Sequence, residues 1–540
     1  MASQESDIIG RGTWLDRVAS EMLEREKALG RSTKLLRVES GLGASGIPHI
    51  GSVGDAIRSY GVKLALETLG YRSELVAYAD DLDGLRKVPA GFPDWLKDYI
   101  ARPVTRIPDP FDCHKSFGAH TGGLLREALN DLSIPYTFMS GAEVYKSGLL
   151  NPQITKILDN AQLVGRMIKE LTGQEKYLTV LPYTPICENC GRLYTTVVSS
   201  YDPVAQTVRY RCDSAEVGHS VIKGCGHEGE RKVTEGEGKL IWKSEFAARW
   251  AALDIRFEAY GKDIAESVKI NDWISENVLR HPPPYHARYE MFQDKSGKKV
   301  SKSVGNVITI RDWLTYASPE SVRLLMFKRI VGARSISVDD VPVYMDEFDE
   351  LEDHYFSKKK DPNAMKEARL RGLYEYTMLT HVPHNPSVHA PYRLLAELGS
   401  AVPEDAVVEY VSKRLVTYGV IKGAASDDLV KRIRWAAAWA RRKGAGLVAE
   451  ELPRLTEKQR KAVLAFAASL PKAKTADEIQ GAAFEAMRGN GLQAGEFFPA
   501  VYGILLGSEK GPRLGPYIID VGTKATSERL EKAASSGRHN

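Results

Sequence analysis

Residues 34–83 read as strand, glycine-rich loop, helix and strand in immediate succession, and that order constrains the fold more than any other feature of the chain. KLLRVES (34–40) has the pattern of a buried strand and runs into the loop GLGASGIPHIGS. The helical pattern of AIRSYGVKLALETLG stops at Gly70, and SELVAYA makes the next strand, ending at Asp80, Asp81 and Asp83. Parallel strands joined through a helix require a right-handed crossover, so the segment predicts an α/β fold on a doubly wound parallel sheet. Ligands of such sheets bind beyond the carboxyl ends of the strands, where the glycine loop and the acidic cluster both fall.

The rest of the chain must build further domains, since 540 residues exceed what one hydrophobic core holds. Between about 100 and 235 the pattern is mixed: loop-like TRIPDPFDCHKSFGAH, helical ITKILDNAQLVGRMIKEL, then a cysteine-bearing stretch with strand-like pieces such as TVRYRC. This predicts an insertion, after which strand-and-helix patterning returns and ends in the loop DKSGKKVSKSVGN (294–306). Beyond about 340 helical periodicity dominates, and two starts carry capping boxes, Thr456 with Gln459 and Thr475 with Glu478. The expected organisation is a catalytic domain from 1–100 and 235–335, an insertion over 101–234, an all-helical domain over 336–530 and a frayed tail over 531–540. A composition 43% hydrophobic and 27% charged excludes wholesale disorder, collagen and coiled coil. No apolar run approaches membrane-spanning length, and MASQESDIIGRG has no basic n-region or apolar h-region, so the expected location is cytoplasmic. With 74 Lys+Arg against 70 Asp+Glu, any nucleic-acid partner must be met by a local patch.

Two short segments carry the chemistry, PHIGS (48–52) and KVSKS (299–303), about 250 residues apart. The first follows a strand and opens a helix, where backbone N–H groups and the helix dipole favour an anion. Gly46 and Gly51 let a ligand approach the backbone, and His49 can donate a ring N–H to a phosphate oxygen. The second is a loop with Lys298, Lys299 and Lys302 and two serines, suited to neutralising charge on a leaving pyrophosphate. Either alone reads first as a helix start with a surface histidine, or as a solvated basic loop.

In this order and context, the pair resembles the HIGH and KMSKS signatures of class I aminoacyl-tRNA synthetases, with Ser52 at the second His and Val300 at the Met. GASGIPHIGS, DDLDGLRKVP, TRIPDPFDCHKSFGAH, YKSG (145–148), YGKD (260–263) and KVSKSVGN resemble, more narrowly, the class I lysyl-tRNA synthetases over roughly residues 30–330. That resemblance implies a Rossmann core, a helical anticodon-binding domain and ATP-dependent attachment of lysine to tRNA(Lys) through a lysyl-adenylate, with Mg2+ bridging phosphates. It implies catalytic roles for His49, Lys299, Ser301 and Lys302, and an ATP site on Ser45, Gly46, Pro48, His49, Gly51, Ser52, Asp263 and Lys302. Two departures stand out: Ile264 replaces the His of GKDH, and Glu245, Phe246 and Ala247 stand where the family often reads DWP. Neighbouring readings are a class I synthetase for another amino acid, or a catalytically weak tRNA-binding paralogue.

Selecting lysine means compensating a cation drawn out of water, by a carboxylate or an aromatic face. The substrate candidates are Glu39, Gly41, Asp80, Asp81, Trp242 and Trp250; the plainer alternatives are helix caps and core tryptophans. Cys187-x2-Cys190 with Cys212 and Cys225 has the pairing of a structural zinc ribbon, with His219 and His227 as rivals for the fourth position. Zn2+ there would fold a small module that lacks its own core. Asp109, Cys113, His114 and His120 form a second cluster of competent zinc ligands, although Asp109 before Pro110 also suits a turn. Lys431, Arg432, Arg434, Arg441, Arg442 and Lys443 share one helix with Trp435 and Trp439; the tryptophans at i, i+4 read as core and some of the basic residues as tRNA contacts.

Overall fold

The computed structural model describes residues 8–44, 46–218, 220–293, 308–332, 334–443 and 452–536. The chain divides into two compact units: Met1–Arg311 with Val322–Ser337 and Lys360–Val382, and Asp312–Ser321 with Val338–Lys359 and Pro383–Asn540. No helix among the described residues is long and apolar enough to cross a membrane.

Among the described residues of the first unit, five strands form one parallel sheet: β1 (Leu36–Leu42), β2 (Ser73–Ala79), β3 (Thr137–Ser140), β4 (Ile255–Gly261) and β5 (Tyr285–Tyr289), in the order β5-β4-β1-β2-β3. Strands β1, β2 and β4 are buried along nearly their whole length, as expected of a parallel sheet covered on both faces, and β1 and β4 carry Glu39 and Glu258 into that interior. The chain leaves β1 for β2 on one side, and β4 pairs on the other, so β1 marks the switch point where a crevice opens at the carboxyl ends. Helix α1 (Ile50–Thr68) begins there, α2 (Phe117–Asp131) precedes β3, and α3 (Trp242–Leu253) leads into β4.

Strand β3 falls inside the span that the sequence reading gives to the insertion. Its four residues, TFMS, are half-buried or exposed, so no apolar run announced an edge strand. The cysteines lie about a three-stranded antiparallel sheet of Thr196–Asp202, Thr207–Cys212 and Glu228–Lys232. The module has no separate core: Cys187, Leu193, Val198, Val208, Tyr210 and Cys212 belong to one apolar cluster with Val76 and Tyr78 of β2 and Trp250 of α3.

The second unit is helical, and both expected capping boxes form, at Thr456 with Gln459 and Thr475 with Glu478. Its helix α4 (Asp427–Lys443) is the basic one. The expected frayed tail is corrected in part, because α5 (Thr523–Ser536) runs through it with Ala533 and Ala534 buried. Residues 537–540 lie outside the described residues.

Candidate functional site

His49 is the N-cap of α1, in extended conformation (φ −112°, ψ 168°), and its Nδ1 accepts the backbone N–H of Ser52 at 3.1 Å. With Nδ1 an acceptor in that bond, the neutral ring carries its proton on Nε2. A Cβ on residue 51 would lie 2.9 Å from the His49 ring, so Gly51 is what lets the imidazole fold back over the first turn. Not every first-turn N–H is left for an anion: that of Ile50 donates to the Ile308 carbonyl at 2.8 Å.

His49, Gly51 and Ser52 line a cavity of about 420 Å3 together with Gly41, Asp55, Asp80, Trp242, Phe246, Arg249, Glu258, Asp263, Ile264, Tyr289 and Met291. Strand register places Glu39 of β1 directly beside Glu258 of β4. The pair is tolerable because Arg249, 1% exposed, reaches out of α3 and ion-pairs with Glu39, with Asp80 at 3.2 Å and with Glu258 at 3.3 Å, its guanidinium 4.4 Å from the Tyr78 ring centroid. The indole N–H of Trp250 donates to Glu258 Oε2 at 2.6 Å. Behind this group, buried Lys239 pairs with Asp83 and, at 2.7 Å, with Glu245, while Trp242 donates to Asp83 at 3.1 Å.

Three carboxylates therefore share one guanidinium, and two share one ammonium. Burial pushes the Asp80 carboxyl up to about 7 against the pull of Arg249, and raises Glu39 and Glu245 in the same direction. Asp55, Asp80, Glu258 and Asp263 line the cavity against the single guanidinium of Arg249, so its wall carries more carboxyl groups than cations.

The sequence candidates sort by this geometry. Gly41, His49, Gly51, Ser52, Asp80, Trp242 and Asp263 face the cavity. Glu39 and Trp250 are fully buried behind it. Asp81 lines a separate cavity of about 960 Å3 and accepts the Ala142 N–H at 2.8 Å. Pro48 lines a third, apolar cavity of about 320 Å3. Gly46 lines none of these three. Ser45, Lys299, Ser301 and Lys302 lie outside the described residues. At the departures from the family pattern, Glu245 belongs to the buried Lys239 group, Phe246 packs between Trp242 and Trp250 with ring centroids 5.5 and 6.1 Å away, and Ile264 faces the cavity. Sequence reasoning missed Asp55, Arg249, Glu258 and Tyr289. A glutamate in the middle of the buried run IRFEAYG was the one signal on offer.

The four cysteine sulfurs come together without a disulfide, Cys187 Sγ 3.6 Å from Cys225 Sγ and Cys190 Sγ 3.7 Å from Cys212 Sγ, all within 4.8 Å of one another. Four thiols converging at that spacing suit a tetrahedral soft cation such as Zn2+. His227 instead faces Glu188 at 3.4 Å, and His219 lies outside the described residues. Asp109, Cys113, His114 and His120 also converge within 4.8 Å, with Cys113 Sγ 3.1 Å from His114 Nδ1 and 3.2 Å from His120 Nδ1. Asp109 makes the turn as well, accepting the N–H groups of Phe111, Cys113 and His114.

On α4, Arg432 is buried against Asp349 and Trp439 donates to the Val338 carbonyl at 2.9 Å; Trp435 is half-buried, while Lys431, Arg434, Arg441 and Arg442 are exposed.

A family model described as tRNA synthetases class I (K) matches residues 12–379. A lysine–tRNA ligase of Cenarchaeum symbiosum (strain A) is 49% identical over 516 residues, 96% of this chain and 97% of that one. Another, from Natronomonas pharaonis, is 31% identical over 98% of this chain and 99% of its own, and one from Rickettsia felis is 30% identical over 97% and 98%. Among solved structures, a glutamate tRNA ligase from Elizabethkingia meningosepticum covers 93% of this chain and 100% of that one at 12% identity and a TM-score of 0.33, a likeness too low to decide anything.

Proposed function

The chain belongs to the class I lysyl-tRNA synthetases and is a lysine–tRNA ligase acting on lysine, ATP and tRNA(Lys), and from that premise we propose how its residues divide the work. The lysine carboxylate attacks the α-phosphorus of ATP, pyrophosphate leaves, and the terminal ribose hydroxyl of the tRNA then takes the lysyl group from the adenylate, releasing AMP. No protein nucleophile is needed, so the protein contributes positioning and charge stabilisation.

The observation that carries this reading is the anchored imidazole of His49 at the edge of an acid-lined cavity. Its Nε2–H donates to an α-phosphate oxygen, where negative charge builds as the carboxylate arrives. Gly51 and Ser52 keep the first turn of α1 open to the nucleotide, and Asp263, beside the apolar Ile264, accepts from its ribose. From their place in the sequence, Lys302 and Lys299 stabilise the departing pyrophosphate and Ser301 binds it; Mg2+ enters with ATP as part of the substrate. Asp80 and Glu258 receive a lysine ammonium against the face of Trp242, with Gly41 leaving room, while Glu39, Arg249 and Trp250 hold those carboxylates in place. Asp81, Gly46 and Pro48 shape the loops around them, and Ser45 joins the ATP site from its place in the sequence.

Cys187, Cys190, Cys212 and Cys225 would hold one Zn2+ that fastens the loops of the insertion, and Asp109, Cys113, His114 and His120 would hold a second. Both are structural. Exposed Lys431, Arg434 and Arg441 meet tRNA phosphates, and the enzyme works in the cytoplasm.

ATP–pyrophosphate exchange with each of the twenty amino acids, with and without tRNA, tests the assignment. Exchange with lysine, lost in Lys302→Ala and strongly reduced in His49→Ala, is expected. Exchange retained in both variants would sink the catalytic roles, and exchange with a different amino acid would sink the substrate-pocket assignment.

A further inference from the structure

Arg58 lies nine residues beyond His49 on α1, its side chain 1% exposed, and its Nε and Nη1 have no hydrogen-bond partner. A guanidinium withdrawn from water in this way is retained only where something else compensates its charge. The compensation here is the ring of Tyr289, whose centroid is 4.2 Å from the guanidinium carbon, and the carboxylate of Asp55, 3.9 Å from Nη1. Tyr289 donates its hydroxyl to that same carboxylate. Burial pushes the Asp55 carboxyl up to about 7, with the Tyr289 hydrogen bond and Arg58 opposing the rise and Asp263 and Glu258 adding to it.

Two glycines keep the space that this arrangement occupies. A Cβ on residue 54 would sit 2.9 Å from Arg58 Nη1 and 3.2 Å from Met326 Sδ. A Cβ on residue 261 would sit 2.7 Å from Asp263 Oδ1 and from Met291 Sδ, with the Tyr289 hydroxyl in ordinary contact at 3.4 Å. Asp55 and Tyr289 both reach the wall of the cavity, next to Asp263 and Met291.

We propose that Asp55, Arg58 and Tyr289 are positioning residues that latch the His49 helix to strand β5 and thereby set the affinity for ATP rather than for lysine. The latch joins the helix that starts at His49 to a strand that ends ten residues before Lys299 in the sequence. Its neighbours are Gly261, Asp263 and Met291, whereas Asp80, Glu258 and Arg249 cluster around Gly41. The proposal rests on the reading of this cavity as the ATP and lysine site.

Tyr289→Phe keeps the ring under Arg58 and removes the hydroxyl alone; Asp55→Asn removes the charge. In lysine-dependent ATP–pyrophosphate exchange by the full-length enzyme, each is expected to raise KM for ATP tenfold or more while KM for lysine moves less than twofold and Tm falls by no more than a few degrees. A KM for ATP unchanged in Tyr289→Phe, or a KM for lysine rising in step with it, overturns the latch. A fall in kcat that tracks a large loss of Tm, with both KM values unmoved, overturns it too. Wild-type enzyme without lysine-dependent exchange would refute the reading of the cavity itself, so the two failures are distinguishable.

Discussion

Replacing Arg249 with Met is the sharpest perturbation of the acid cluster. The guanidinium is 1% exposed and serves Glu39, Asp80 and Glu258, whose side chains are 0%, 8% and 11% exposed. Methionine fills much the same volume but leaves three carboxylates facing one another with no cation. Breaking a buried pair from one side costs about 3–5 kcal/mol, because the remaining charge is uncompensated. That cost falls as the carboxylates take up protons. Asp80 already titrates at about 7 with Arg249 present, raised chiefly by burial. A carboxyl whose folded-state pKa lies above its unfolded value of about 3.9 stabilises the fold while protonated, and that stability is lost as pH rises through the folded pKa. Without Arg249 the rise is larger, so the deficit of Arg249→Met is greatest above pH 7 and shrinks toward pH 5.5. Urea unfolding followed by tryptophan fluorescence at pH 5.5 and 7.5, scored on the transition that reports Trp250, measures both values. A deficit below about 1 kcal/mol at pH 7.5 would refute the reasoning, because it would fall outside the range for an uncompensated buried charge. An equal deficit at both pH values would refute the proton uptake. Adding Glu39→Gln to Arg249→Met should recover part of the loss.

Three further outcomes are expected. Cys212→Ser should remove one zinc equivalent per chain in native mass spectrometry and lower Tm, since Cys212 also packs in the core that joins the insertion to β2. Wild-type protein should carry two equivalents, and Cys113→Ser should lose the second with no change in the first; a wild-type stoichiometry of one would remove the Asp109 cluster from the metal sites. Gly165→Ala places a Cβ 1.9 Å from the Tyr177 carbonyl oxygen, so the neighbouring backbone must shift; a loss of about 1–3 kcal/mol is expected on the scale of overpacked cores, read as a lowered Tm.

What the sequence determined by itself is what depends on near neighbours along the chain. The crossover over residues 34–83 was legible because strand and helix periodicities are local, and the capping boxes at Thr456 and Thr475 because they span four residues. His49 was legible from its motif, and the four cysteines from their pairing and chemistry. The tertiary structure decided what depends on pairing between distant segments. Glu39 and Glu258 became neighbours only through the parallel register of two strands more than 200 residues apart, and that register is what gives Arg249 its place. Strand β3, too short and too polar to show a period, became a sheet edge by pairing with β2. Asp55 and Tyr289 met across 234 residues, on a helix and a strand whose patterns say only which face is buried. Periodicity records which side of an element leaves water; it carries no term for which buried polar group it will meet there, and in this protein those meetings build the cavity.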